Sequence, residues 1–232
     1  MGAVSPTELF NFLKSKNIKY LYYATTVKNA CSMINCGMLM SNHQLKFKEL
    51  PMTAPVNADL EKAVGIWNKI SFYCCDLHGY FTRQNKLGPV CFVIDIDFLL
   101  EVHEKDLYIS KRNPLNWKKG LRRNHIYYSS VNEFAENFDN LIPERIAHKN
   151  IVLLRDKKST IDLSKYLVEI IVDKTAHRHL LFTKSKNALT SALKKSGLTQ
   201  TPLKIRECKD FCFCQTNYEE TSIEEIEKLF LP

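Results

Sequence analysis

Few residues in this chain have both the type and the spacing to do chemistry. Residues 141–148 read LIPERIAH, which sets Glu144 between an Ile-Pro pair and an alternating apolar run. Proline suits the first residue of an edge strand, so Glu144 is expected to project near a strand start. Two readings stand for it: a site carboxylate, or a solvated glutamate paired with Arg145 or a nearby lysine. No GxxxxGK[ST] loop, GxGxxG fingerprint, HExxH or GxSxG motif occurs. Most hydrolase, kinase and dinucleotide-fold chemistry is thereby set aside. The histidines show no ligand spacing beyond His177-x-His179, in a stretch that alternates like a solvated strand edge. Cys208, Cys212 and Cys214 follow a C-x₃-C-x-C pattern, which matches none of the paired signatures of structural zinc. These thiols are expected to be buried or incidental, and no metal is expected.

A second polar cluster depends on the elements around it. Tyr20 to Tyr23 form an apolar-aromatic run, followed by Ala24, Thr25 and Thr26 and then by Val27, Ala30, Cys31 and Ile34 at helical spacing. Either threonine can cap that helix with its hydroxyl, and Gly37 supplies the left-handed residue that stops it. Polar residues where a strand gives way to a helix are well placed to bind polar ligand groups. The plain alternative is an ordinary strand–helix unit.

The net charge is +8, which favours a polyanionic partner, nucleic acid before membrane. Much of the charge lies near Trp117: Lys111, Arg112, Lys118, Lys119, Arg122 and Arg123, with Tyr127 and Tyr128 just beyond. Cations for phosphates beside rings for bases suit a groove for single-stranded nucleic acid; a solvated basic loop is the other reading. Cys74, Cys75 and Cys91 lie in apolar runs and read as small buried hydrophobes, so a reducing, cytoplasmic setting is expected. No apolar run approaches the roughly 20 residues of a membrane helix, and no secretory leader is visible.

Ser5-Pro6-Thr7-Glu8 combines an N-cap, a first-turn proline and a capping-box glutamate. Residues 42–57 read as loop, and 58–67 as a helix with Leu60, Val64 and Trp67 on one face. ISFYCC (70–75) suits a strand buried on both faces, and VCFVID (90–95) another, joined by a polar, glycine-flanked connection. A short helix from 98, a strand at 107–110, a helix opened by Ser130 and Glu133, and a strand at 167–172 follow. The rest is expected to be a helix over 187–195, extended segments at 203–206 and 211–214, and an acidic amphipathic helix over 221–230. Short strands and helices alternate irregularly, which favours α+β around a mixed sheet in a single domain over 1–232.

The order of these segments resembles the ADP-ribosyltransferase superfamily, most of all the DarT-like toxins that modify nucleic acid. YYATTVKNACSMINCGMLMSN is similar to that family's opening strand and helix, with Asn29 four positions beyond Thr25. ISFYCC, its polar loop and GPVCFVID are similar to the next strand, loop and strand. IPERIAHKNIVL stands where the family carries its catalytic glutamate, and LVEIIVD resembles the strand after it. Tyr23 stands in place of the family's histidine. Arg83 and Lys69 both fit the basic residue after the first helix. Ile142 replaces the Gln or Glu of branches that modify arginine side chains.

The resemblance implies an ADP-ribosyltransferase-like split mixed sheet flanked by short helices, with NAD as the ADP-ribose donor. Breaking the nicotinamide–ribose bond passes through an oxocarbenium-like state, which one carboxylate, polar anchors and aromatic walls can stabilise. On that resemblance Glu144 is the catalytic carboxylate, and Phe72 and Tyr73 form a wall. Tyr23, Thr25 and Ser71 hold the nicotinamide half, Asn29 is a further cofactor-binding residue, and Arg83 faces the pyrophosphate. Lys118, Lys119, Arg122 and Arg123 would take the acceptor, RNA or single-stranded DNA. A toxin-like effector in a toxin–antitoxin or phage-defence setting, with an antitoxin as partner, is the expected role. The alternatives are a protein acceptor, a non-catalytic nucleic-acid-binding module, or a partner-binding protein docking through its acidic C-terminal helix.

Overall fold

Helix α1 (Pro6–Ser15) begins where its cap dictates: Ser5 Oγ accepts the Glu8 N–H at 3.3 Å, with Pro6 at the first helical position. The computed structural model describes residues 3–55, 58–76, 78, 87–114, 117, 120–138, 151–155, 160–175, 178–207 and 212–232. Strand β1 (Tyr20–Thr25) leads into α2 (Val27–Asn35), and of the two threonines it is Thr26 that caps, accepting the Asn29 N–H at 3.4 Å. Gly37 then turns the chain at φ +66°. Strand β2 (Met38–Leu39), α3 (Asn42–Phe47), α4 (Ala58–Ala63), β3 (Lys69–Tyr73) and β4 (Val90–Asp95) follow. After 3₁₀ turns at Ile96–Glu101 and Glu104–Asp106 come β5 (Leu107–Ser110), α5 (Arg123–Ile126), α6 (Val131–Glu136), β6 (Ile151–Arg155), β7 (Ile161–Asp162) and α7 (Leu163–Tyr166). The chain closes with β8 (Leu167–Lys174), α8 (His179–Lys195), β9 (Leu203–Glu207), α9 (Phe213–Glu220) and α10 (Ile223–Phe230).

Seven strands form one mixed sheet in the order β5-β6-β3-β1-β4-β8-β9, antiparallel except for the β8–β9 pair. The expected α+β architecture is the one found. Pairing is uneven. Strand β1 runs against β4 from Tyr20↔Asp95 to Thr25↔Val90, and β3 runs against β6 along its whole length. Between β1 and β3 the register holds a single pair, Tyr22↔Tyr73. The two halves therefore join at one point and part beyond it, which is the split.

Alternation along the strands divides the packing into two layers. Ile70, Phe72, Phe92, Ile94, Ile109, Val152 and Leu154 turn to the main core, beneath α1, α2 and α8. Burying each of these large side chains stabilises the fold by about 1.5–3 kcal/mol. Tyr108 and Leu153 face the other way and pack with Ile66, Trp117 and Tyr127.

Several expectations are corrected. The polar stretch after residue 41 holds helix α3, because Ser41 Oγ accepts the Gln44 N–H at 3.2 Å and Leu45 is buried. The helix from Ala58 stops at Ala63. Strand β3 alternates half-buried and buried side chains instead of being buried on both faces, since one face lines an opening. Residues 179–186 extend α8 by two turns, with Phe182, Ser185, Leu189 and Leu193 buried along one stripe, so His179 is helical and not on a strand edge. His177 lies outside the described residues. Cys214 is likewise helical, in α9, where an extended segment was expected.

Candidate active site

The gap between the two half-sheets is a cleft. Tyr23 and Ala24 reach it from β1, Ser71 and Tyr73 from β3, Asn42 from the first position of α3 and Glu61 from α4. Leu87, Asn113 and Pro114 close its margins. Tyr23 is held in place by packing: its ring lies 6.3 Å from that of Phe92, its partner in the β1–β4 register, and 6.1 Å from that of Phe72. Beside Leu87, Gly88 adopts φ +116° and lies against the end of β1, where a Cβ would come 2.2 Å from the Thr25 carbonyl oxygen. Only glycine lets the chain entering β4 pass so close.

The electrostatics centre on Glu61. Burial raises its carboxyl pKa above the usual value, partly offset by Asn42, whose Nδ2 donates to Glu61 Oε2 at 3.3 Å. Burial also pushes the Tyr73 phenol up to about 12, with the nearby Glu61 charge adding to the effect. Tyr23 is raised by the same two causes, and its side chain hydrogen-bonds that of Thr25. Both phenols therefore stay protonated at neutral pH and can donate. A half-buried ring beside a serine hydroxyl, an amide and a carboxylate suits a planar polar ring attached to a sugar, whose hydroxyls need donors and acceptors at close range.

The expected site residues are distributed as follows. Tyr23, Ser71 and Tyr73 come together, and of the two adjacent tyrosines it is Tyr23 that faces the cleft. Tyr22 lies with Tyr20 and Cys74 at a separate surface depression. Phe72 does not form a wall: it is fully buried on the opposite face of β3, 5.4 Å from the Phe98 ring. Thr25 is buried beside Tyr23. Asn29 is buried away from the cleft lining and its amide holds the backbone of Thr53, accepting its N–H at 2.7 Å and donating to its carbonyl at 3.2 Å. Glu144, Arg83, Lys118 and Lys119 lie outside the described residues.

Arg122 and Arg123 are exposed, with the Arg123 guanidinium 5.7 Å from the Tyr108 ring. The rings expected to stack bases are turned inward instead. Trp117, Tyr127 and Tyr128 are all buried, and Trp117 and Tyr127 meet edge to face at 5.3 Å. Aromatic residues beside cations look alike in sequence whether the rings point in or out. Glu61 and Asn42 were not found from sequence. Glu61 reads as an ordinary acidic residue of a helix's first turn, and only the fold brings it to Asn42.

This sheet order and its flanking helices make a DarT-like fold. It is similar to that of Thermus sp. 2.9 DarT in complex with ADP-ribosylated ssDNA, at a TM-score of 0.52 and 13% identity, covering 82% of this chain and 95% of that one. The complexes of Thermus sp. 2.9 DarT with NAD+ and carba-NAD+ give TM-scores of 0.47 and 0.48 at 16% and 13% identity, each covering 82% of this chain and 96% of the other. No protein-family model matches the chain, and no curated protein matches it by sequence.

Proposed function

We propose that the chain is an NAD-dependent ADP-ribosyltransferase whose acceptor is nucleic acid, with single-stranded DNA the first candidate. One observation carries the reading: Tyr23, Ser71 and Tyr73, assigned to the donor from the sequence, line one cleft at the split of the sheet. A similar fold solved with ADP-ribosylated ssDNA supports the acceptor class. In the proposed reaction the bond from ribose C1′ to the nicotinamide nitrogen breaks and nicotinamide leaves with the electron pair. An acceptor atom on the nucleic acid bonds to C1′ and gives up its proton.

The residues divide this work. Tyr73 flanks the nicotinamide ring, and the Tyr23 phenol and Ser71 hydroxyl bind the carboxamide or ribose oxygens. Glu144, assigned by resemblance, holds the ribose hydroxyls and stabilises the developing positive charge. Glu61, when ionised, adds negative potential to the same cleft. Arg83 is assigned to the pyrophosphate, and Lys118, Lys119, Arg122 and Arg123 to the acceptor backbone.

The test incubates labelled NAD with RNA, single-stranded DNA and duplex DNA, and repeats it with Glu144→Gln and Tyr73→Ala. Label on one polymer, lost in both variants, supports the proposal. Wild-type protein that releases no nicotinamide under any condition would leave a non-catalytic nucleic-acid-binding module as the better reading, which the exposed Arg122 and Arg123 also fit. Label on protein alone would move the acceptor to a side chain.

The effector role in a toxin–antitoxin or phage-defence setting, checked by an antitoxin, belongs to the same proposal. Growth arrest on expression in a bacterium, relieved by Glu144→Gln, is the expected result. Among the described residues no helix is long and apolar enough to cross a membrane. A cytoplasmic site, where NAD and nucleic acid meet, accords with the proposed chemistry.

A further inference from the structure

We propose that His78, Cys212 and Cys214 form a structural zinc site. These residues come from two distant parts of the chain. His78 follows β3, whereas Cys212 and Cys214 stand at the cap and second position of α9, with His78 and Cys212 134 residues apart. One ligand atom from each lies within 4.8 Å of the others. His78 Nε2 is 3.4 Å from Cys212 Sγ. An ion holding sulfur at about 2.3 Å and nitrogen at about 2.0 Å, at a tetrahedral angle, sets those two atoms about 3.5 Å apart. The observed distance is that of two ligands on one ion. A hydrogen bond between His78 and Cys212 would account for the pair, but not for a second thiol converging on it.

The far side of the imidazole supplies an independent argument. Metal-bound histidines are oriented by a carboxylate or carbonyl on the ring nitrogen that does not hold the metal. His78 Nδ1 lies 3.3 Å from Asp173 Oδ1, whose side chain is only 5% exposed. The carboxylate is itself fixed, accepting from Arg206 Nε at 2.7 Å and from the Tyr218 hydroxyl at 3.0 Å. The Asp173 carboxylate thus lies beside the ring nitrogen of His78 that is turned away from Cys212.

Among the described residues, the other cysteines belong to no such group. Cys74 and Cys91 are fully buried, and burial drives their thiol pKa values far up, as expected of inert packing groups. The C-x₃-C-x-C spacing failed to signal a metal because a principal ligand, His78, is remote in sequence. Two sulfurs and one nitrogen select zinc among the common cellular ions and leave one tetrahedral place for a further donor. The ion would fasten the exit of β3, the strand bearing Ser71 and Tyr73, to the C-terminal helices.

Metal analysis of the purified full chain, followed by cobalt(II) titration of the chelator-treated protein, tests this. The expected result is one zinc per chain and, with cobalt, thiolate-to-metal charge-transfer absorption together with the intense visible bands of a tetrahedral ion. Cys212→Ser and Cys214→Ser should each weaken cobalt binding at least about tenfold, as should Asp173→Asn through the histidine. Cys36→Ser, which removes an exposed thiol, should change nothing. The wild-type spectrum requires no variant to fold. Folded wild-type protein with neither stoichiometric zinc nor a charge-transfer band would overturn the site. So would cysteine variants that bind cobalt as tightly as the wild type.

Discussion

Replacing Asn29 with alanine decides whether its amide serves the fold or the donor. The resemblance assigns Asn29 to NAD, but the structure engages both ends of its amide on Thr53. The same segment is tied on either side: Ser32 Oγ donates to the Pro51 carbonyl at 2.5 Å, and the Thr53 hydroxyl donates to the Lys228 carbonyl at 3.2 Å. Asn29 thus fastens the chain after α3 to α2 and, through Thr53, to α10. Alanine removes two hydrogen bonds worth about 1 kcal/mol each, and the unpaired Thr53 groups add about 1–2 kcal/mol where they are part-buried. A loss of about 3–4 kcal/mol corresponds to a fall in Tm of about 6–16 °C for a chain of this size. Asn29→Asp keeps the acceptor for the Thr53 N–H but sets a carboxylate against the Thr53 carbonyl, so it should cost at least as much. Thermal melts followed by circular dichroism give the stability, and NAD titration at a temperature where each variant is folded gives the binding. A Tm within about 1 °C of wild type, together with a tenfold rise in the KM for NAD, would refute the reasoning and return Asn29 to the site.

Three further outcomes are expected. Gly88→Ala combines a strained φ with a Cβ only 2.2 Å from the Thr25 oxygen, so it should cost about 3 kcal/mol or more. Gly37→Ala, with φ +66° and nothing within 4 Å, should cost about 1 kcal/mol; equal urea midpoints for the two variants would contradict the close approach. Because Glu61 has a raised carboxyl pKa when folded, its contribution to stability is largest below the unfolded value and declines as pH rises through the folded one. Glu61→Gln should therefore match wild type at acid pH and exceed it at neutral pH, and a constant difference across that range would count against a buried carboxyl. If Arg122 and Arg123 contact two phosphates of single-stranded DNA, changing both to alanine should lower the slope of log K against log salt by about 1.4. An unchanged slope would assign them to the surface alone.

The features that were readable in the sequence are those whose cause is local. Ser5 with Pro6, and Ser130 with Glu133, announce helices because the cap and its N–H partner are three residues apart. Glu133 shows how far that reaches: its N–H binds Ser130 as a capping box requires, while its carboxylate takes the N–H and hydroxyl of Ser129. That Tyr23, Ser71 and Tyr73 meet at one cleft was legible for a related reason. They lie on strands, and the order of strands in a resembling family says which ends meet.

What stayed hidden depends on which of two faces a residue turns to, or on contacts between remote segments. Phe72 and Tyr73 are neighbours with opposite fates, the first in the core and the second in the cleft, because alternation along β3 is fixed by the pairing Tyr73↔Ile151 and Phe72↔Val152. Trp117 and Tyr127 were drawn inward by Tyr108 and Leu153, the reverse faces of β5 and β6. The cleft has the same origin. Nothing in YLYYAT or KISFY states that the two strands meet at Tyr22↔Tyr73 alone, yet that one pair leaves Tyr23 and Ser71 on opposite sides of a gap. Lengthening the β1–β3 ladder beyond that pair would bring the strands together across the space a ligand needs, so the incomplete pairing is what allows a site there.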